Sequence, residues 1–233
     1  MKTKMFILVG ALLVIGMSAG IPRGAWAQGQ SGTSIHPATV SCEVHYTKTF
    51  AWTIDKSVEP ATWDLFRGDS GTSQYTIAVT KDSGTEAAWI DGQVQCTNNG
   101  VVATEGLAIS VVLTNPSGKT IFNTAAVDVS SNPVLDPGET GSYAYRVDMP
   151  EADITPGATY KVTANITITN HSGHLGAPFG PSPSDTAILP ADPTPVNDSI
   201  NVDDTNGGSW AFSSSGSVNY TKTFTAEDDK GTH

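Results

Sequence analysis

Residues 38–54 read ATVSCEVHYTKTFAWTI, in which every second residue is apolar apart from Lys48. A period of two places Ala38, Val40, Cys42, Val44, Tyr46, Phe50, Trp52 and Ile54 on one face of an extended strand. At about 3.3 Å per residue such a stretch reaches roughly 55 Å, whereas most strands in globular domains have about 3 to 10 residues. One small sheet does not accommodate it, so the stretch is expected to serve two bodies. Its pentapeptide YTKTF, residues 46–50, recurs at 220–224, and the Asp-Lys pairs 55–56 and 229–230 align with the repeat. The chain is therefore expected to begin and end on related strands.

Lys2 and Lys4 precede an apolar run over 5–20, and Ala25-Trp26-Ala27 supplies a small-x-small cleavage pattern, so residues 1–27 read as a secretory signal peptide. The run is short for a membrane span, and no span is expected after its removal. Removing Lys2, Lys4 and Arg23 from the 12 basic residues leaves 9 against 23 acidic ones, a net charge of -14. A chain so acidic repels nucleic acid and anionic lipid. A secreted, extracellular or cell-surface location follows. Export also makes a disulfide between Cys42 and Cys96 the expectation, within a subunit or between subunits, with buried free thiols as the alternative.

After a small, polar segment at 28–37, strand-like runs alternate with Gly, Pro, Asn and Asp turns as far as residue 189. The clearest alternation is ATYKVTANITIT, 158–169, and no window of 11 or more residues has a helical period. These features predict an all-β, antiparallel sandwich. The segment 171–195 is crowded with Pro and Gly and holds one short strand candidate at 185–189. The predicted organisation is an N-terminal extension at 28–41, a sandwich at 42–189, a Pro-rich linker at 190–195 and an incomplete second β-module at 196–233.

Residues that carry chemistry are sparse. His171 and His174 form an i, i+3 pair in a Gly-rich loop, and His45 reads as a surface residue on the first strand. Asp203-Asp204-Thr205-Asn206-Gly207 has oxygen ligands for calcium without the spacing of a binding loop, and reads as a solvated turn. The Arg67-Gly68-Asp69 tripeptide reads as part of a turn. No nucleophile elbow, phosphate-binding glycine loop or metalloprotease helix is present in the sequence. No enzymatic activity, catalytic residue, metal or cofactor is expected. Trp52, Trp63, Trp89 and Trp210 are the residues a sugar-stacking platform needs, with core packing the reading for Trp52 and Trp89, and none assigned to Trp63. Glycosylation sequons occur at Asn165, Asn170, Asn197 and Asn219.

The motifs WTIDKSV at 52–58, WDLF at 63–66, GDSGTS at 68–73, TNNG at 97–100, DTNGGS at 204–209 and YTKTF at 220–224 resemble a group of bacterial secreted and cell-surface proteins built from immunoglobulin-like repeats. The resemblance implies an immunoglobulin-like sandwich and a surface setting, and no activity. In such repeats the YTKTF strand and its acidic turn are followed by a further strand and an A-T-V-x-C segment. Here ATVSC instead stands near the N-terminus, at 38–42. The expectation is a structural subunit of a filament or surface assembly, a homopolymer growing head to tail. Ile35, Ala38 and Val40 of one subunit donate a strand to the module of the next that carries Val218, Tyr220 and Phe224. The alternatives are a closed monomer acting as an adhesion or carbohydrate-binding module, with other surface proteins or glycans as partners, and a stalk piece of a longer surface protein.

Overall fold

The computed structural model describes residues 31–226. The signal peptide, the first residues of the N-terminal extension and the acidic residues 227–233 lie outside them. In chain order the strands are β1 (Ile35–Val40), β2 (Glu43–Thr49), β3 (Trp52–Glu59), β4 (Ser70–Lys81), β5 (Thr85–Asn98), β6 (Ala108–Thr114), β7 (Thr120–Ala126), β8 (Thr140–Asp148), β9 (Thr159–Thr167), β10 (Ser184–Ile188), β11 (Thr194–Val196), β12 (Ile200–Asp204), β13 (Gly208–Phe212) and β14 (Gly216–Thr225). Among the described residues helix is confined to one 3-10 turn, Glu151–Asp153. The protein is all-β, and its named strands pair antiparallel except for β11, which runs parallel to β2.

The long alternating stretch divides between two sheets. β1 and β2 lie end to end along one edge of β5 in a single register, from Ala38 opposite Cys96 to Thr49 opposite Thr85, broken only at Ser41-Cys42. Gly92 sits opposite that break, where an added Cβ would meet the Ser41 carbonyl oxygen at 2.0 Å, so only glycine admits the chain there. β8 covers the other edge of β5, and the second sheet runs β10-β9-β6-β7. Alternation decides the packing: Ile90, Val94 and Cys96 of β5, Tyr143 and Val147 of β8, Val111 and Leu113 of β6, and Tyr160, Val162 and Ile166 of β9 face each other as the first core. Ile35, Val40 and Tyr46 are buried in it.

Beyond Phe50 the chain leaves this sheet. β3 pairs with β4, and β14 pairs along its whole length with β4, from Ser70 opposite Thr225 to Val79 opposite Gly216. The β12–β13 hairpin lies against this three-stranded sheet. Ile77, Val79, Val202 and Phe212 form a second core between them, flanked by Trp52, Ile200, Trp210, Val218 and Tyr220. Both cores lie in one compact unit that starts at Ser31.

Three sequence expectations are corrected here. The C-terminal strands are not a module of their own, because 52–81 supplies two of the three strands of their larger sheet. The 190–195 segment is not a bare linker: Thr194 and Pro195 belong to β11, which adds to β2 opposite Thr47 and Lys48. The Cys42–Cys96 disulfide is absent, and both thiols are free. Cys96 stands opposite Ala38, which leaves Cys42 four residues along the neighbouring strand, about 13 Å away. A disulfide spans a Cα separation of no more than about 7 Å.

Candidate functional site

The residues expected to act as donor lie in or against the first core, and Val218 and Tyr220 of the expected acceptor lie against the second core of the same chain. Ile35 and Val40 are buried in the first core and Ala38 packs against it, so the donor segment occupies its own sheet rather than projecting free. Val218 and Tyr220 pack against the second core, on the inward face of β14 that also bears Phe224. The opposite face of β14 carries Ser217, Asn219, Thr221, Thr223 and Thr225, all exposed.

Across β14 and β4, hydroxyls pair directly: Ser70 with Thr225 and Thr72 with Thr223, each at 2.9 Å. Beyond β14, on the side away from β4, no strand pairs with it among the described residues. β3 is likewise paired on one side only, and its inward Ile54 remains 56% exposed.

One polar cluster holds the hairpin to this sheet. Lys56 on β3 donates to Asp204 Oδ2 at 2.5 Å, while Asp204 Oδ1 accepts from the Tyr220 hydroxyl at 2.9 Å and from the Asn206 N–H at 2.9 Å. The Lys56 ammonium stands 5.1 Å from the Tyr75 ring centre, and Tyr75 stacks on Tyr220, which stacks in turn on Trp210. Lys222 donates to Asn206 Oδ1. The 203–207 turn is thus a clamp whose acidic oxygens are engaged by the protein itself.

Chiefly the Lys56 hydrogen bond, then the Asn206 N–H, hold the Asp204 carboxyl well below its ordinary value, 3.8. A depressed carboxyl contributes stability that is complete above its ordinary pKa and is lost as pH falls through that range towards its folded pKa. Thermal melting followed from about pH 5 down to about pH 2 should show the second core losing stability. Asp204→Asn should flatten that fall, and an unchanged slope in the variant would remove the clamp from this role.

The tryptophans do not share one surface. Trp52 and Trp210 pack against the second core, and Trp52 Nε1 donates to the Asn197 carbonyl at 2.7 Å. Trp63 lies over Gly71, where an added Cβ would meet its ring at 2.4 Å, and donates to Ser73 Oγ at 2.8 Å. Trp89 is not in the core. Ala88 and Ile90 take the inward positions of β5, so Trp89 faces outward between His45, stacked at 4.9 Å, and the Arg146 guanidinium, 4.3 Å from its ring centre. Of the sequons, Asn170 is 1% exposed and committed to Ala103 and Glu105.

One group with metal-ligating atoms was not anticipated. Glu43, His45 and Asp91 place a carboxylate oxygen, an imidazole nitrogen and a second carboxylate oxygen within 4.8 Å of one another. Glu-x-His on one strand is visible in the sequence, but Asp91 joins it only through the β2–β5 register, which sets Glu43 opposite Asp91. His171 and His174 instead contact each other and Phe179, with His174 and Phe179 stacked at 3.5 Å. The sequence matches no protein-family model and no curated protein.

Proposed function

We propose that the protein is a structural subunit of an extracellular filament or cell-surface assembly, joined head to tail by strand exchange and catalysing no reaction. The observation that carries this reading is the edge of β14 that no strand covers among the described residues. It offers ten residues in unbroken register, with no proline and no bulge. Edge strands of soluble monomers are ordinarily short, bulged, covered or charged, because a regular unpaired edge is a template for another chain. The lysine on β14, Lys222, is held by Asn206 of the neighbouring turn.

The donor is β1 of a second copy. It is a six-residue edge strand, separated from β2 by the Ser41-Cys42 break and, among the described residues, paired only with β5. Leaving β5 costs that pairing and the burial of Ile35 and Val40, and the longer β14 edge offers replacement hydrogen bonds and an inward apolar row. The described chain enters at Thr33, against Asn170 and His171, and leaves at Ala226, against Gly68 and Asp69. These are two different places, one beside Asn98 at the end of β5 and the other just ahead of Ser70 at the start of β4. A contact between unlike surfaces of this kind propagates into a filament wherever its rotation does not close into a ring. The resemblance to surface repeat proteins supports the same setting.

The test uses the register itself. Ala38 stands directly opposite Cys96, and cross-strand neighbours are about 4.5–5.5 Å apart, within disulfide reach. Ala38→Cys, oxidised, locks β1 onto its own β5. Light scattering with negative-stain microscopy should show wild type growing with concentration, the oxidised variant remaining monomeric, and growth returning on reduction. Asn219→Lys with Thr221→Lys, which charges the exposed face of β14, should also suppress growth. Growth of the oxidised variant would rule out β1 as donor, and a wild type that stays monomeric throughout would overturn the assembly.

A further inference from the structure

We propose that Glu43, His45 and Asp91 form a binding site for a divalent transition ion of the zinc class on the outer face of the β2–β5 pair. The reading is independent of strand exchange. Glu43 and Asp91 are directly opposed across the two strands, and His45, two residues along β2, projects from the same face. His45 Nε2 stands 3.3 Å from each of the two Asp91 oxygens. That spacing is close to the separation of neighbouring ligand atoms around an ion with metal–ligand distances of about 2.0–2.2 Å.

Neighbouring side chains hold the group in place. The His45 ring lies flat on Trp89, with an interplanar angle of 10°, and Trp89 Nε1 donates to Asp91 Oδ2 at 3.3 Å. Arg146 also lies over the Trp89 ring, its guanidinium 4.3 Å from the ring centre, and is itself paired with Asp148 at 2.8 Å, so its charge is partly offset. A hydrogen bond donated to the ligating carboxylate is one of the outer contacts that orient ligands in metal sites, and the stack on Trp89 limits the tilt of the His45 ring. Both His45 and Asp91 keep about a third of their side-chain surface exposed, 32% and 38%, so an ion has a path in.

The donor set decides the class of ion. One imidazole with two carboxylates suits zinc, manganese, cobalt or nickel, whereas calcium takes oxygen ligands in larger number. Three protein ligands leave at least one position for water or for a group from another molecule.

The test is a calorimetric titration of Zn2+ into the untagged exported chain, with Ca2+ as a contrast. Wild type should take up one equivalent of Zn2+ and show no comparable response to Ca2+. His45→Ala should abolish the uptake, and Glu43→Gln, which preserves the stack on Trp89 but removes a charged ligand, should weaken it. A variant lacking both His171 and His174 should bind as wild type. Unchanged thermal melting of Glu43→Gln without zinc separates ligand loss from misfolding. Absence of uptake in wild type, or uptake that survives His45→Ala and disappears with His171 and His174, would overturn the site.

Discussion

Phe212→Ala should unfold β3 and β4 together with β12, β13 and β14 while the first core keeps its protection. Among the described residues the second core has four buried members, Ile77, Val79, Val202 and Phe212, and Phe212 is the largest of them. Truncating a buried phenylalanine to alanine costs about 3–5 kcal/mol through lost transfer energy and the cavity left behind. A core this small has no second layer to absorb the loss. Local unfolding proceeds in cooperative units set by shared packing rather than by chain order. Hydrogen exchange read by mass spectrometry should therefore show peptides from 52–81 and from 200–225 losing protection in step, although more than a hundred residues separate them. The clamp of Lys56 on Asp204 and the stack of Tyr75 on Tyr220 join the same two segments. Loss of protection over 200–225 alone, with 52–81 unaffected, would restore the picture of a separate C-terminal module.

That discontinuity explains what sequence could and could not reveal. The alternation over 38–54 was legible because a period of two survives whatever the strand pairs with, and so were β9 and, one residue displaced from β10, the strand expected at 185–189. Its division between two bodies followed from length alone. Partners were not legible: the recurrence of YTKTF marked 220–224 as related to 46–50, but nothing local says that Tyr220 stands opposite Tyr75. The disulfide expectation failed for the same reason. Compartment and cysteine count favoured a bridge, and a register that sets Cys96 against Ala38 decided otherwise. A strand run favours core packing for Trp89, but its place between the inward Ala88 and Ile90 of β5 turns it outward beside His45. The Glu43, His45 and Asp91 group is a property of that register and could be found only after the strands were paired.

Asn98→Ala should lower stability by about 2–4 kcal/mol, for a fall in Tm of roughly 5–15 °C. Asn98 ends β5 with no exposed surface, and every polar atom of its side chain is engaged. Its Oδ1 accepts from the Thr33 hydroxyl and, at 3.0 Å, from the Gly100 N–H. Its Nδ2 donates to the Val102 and Leu135 carbonyls, each at 2.8 Å. Alanine removes all four contacts at once and leaves a buried hydroxyl, an N–H and the Val102 carbonyl short of partners, which is why the cost exceeds that of one ordinary hydrogen bond. Thr33→Val deletes one contact of the same network and should cost only about 1 kcal/mol. The two variants also separate stability from assembly. Thr33 is the residue through which the chain reaches β1, pinned further by its N–H to the Asn170 carbonyl at 2.9 Å and by the Ser172 N–H to its own carbonyl at 2.8 Å. Loosening it lowers the barrier to freeing β1 from β5, so both variants should shorten the lag before filaments appear, Asn98→Ala more than Thr33→Val. Faster growth in that order, with β14 unaltered, places release of β1 on the path to assembly. Destabilisation without any change in growth would mean that β1 stays on β5 while subunits join.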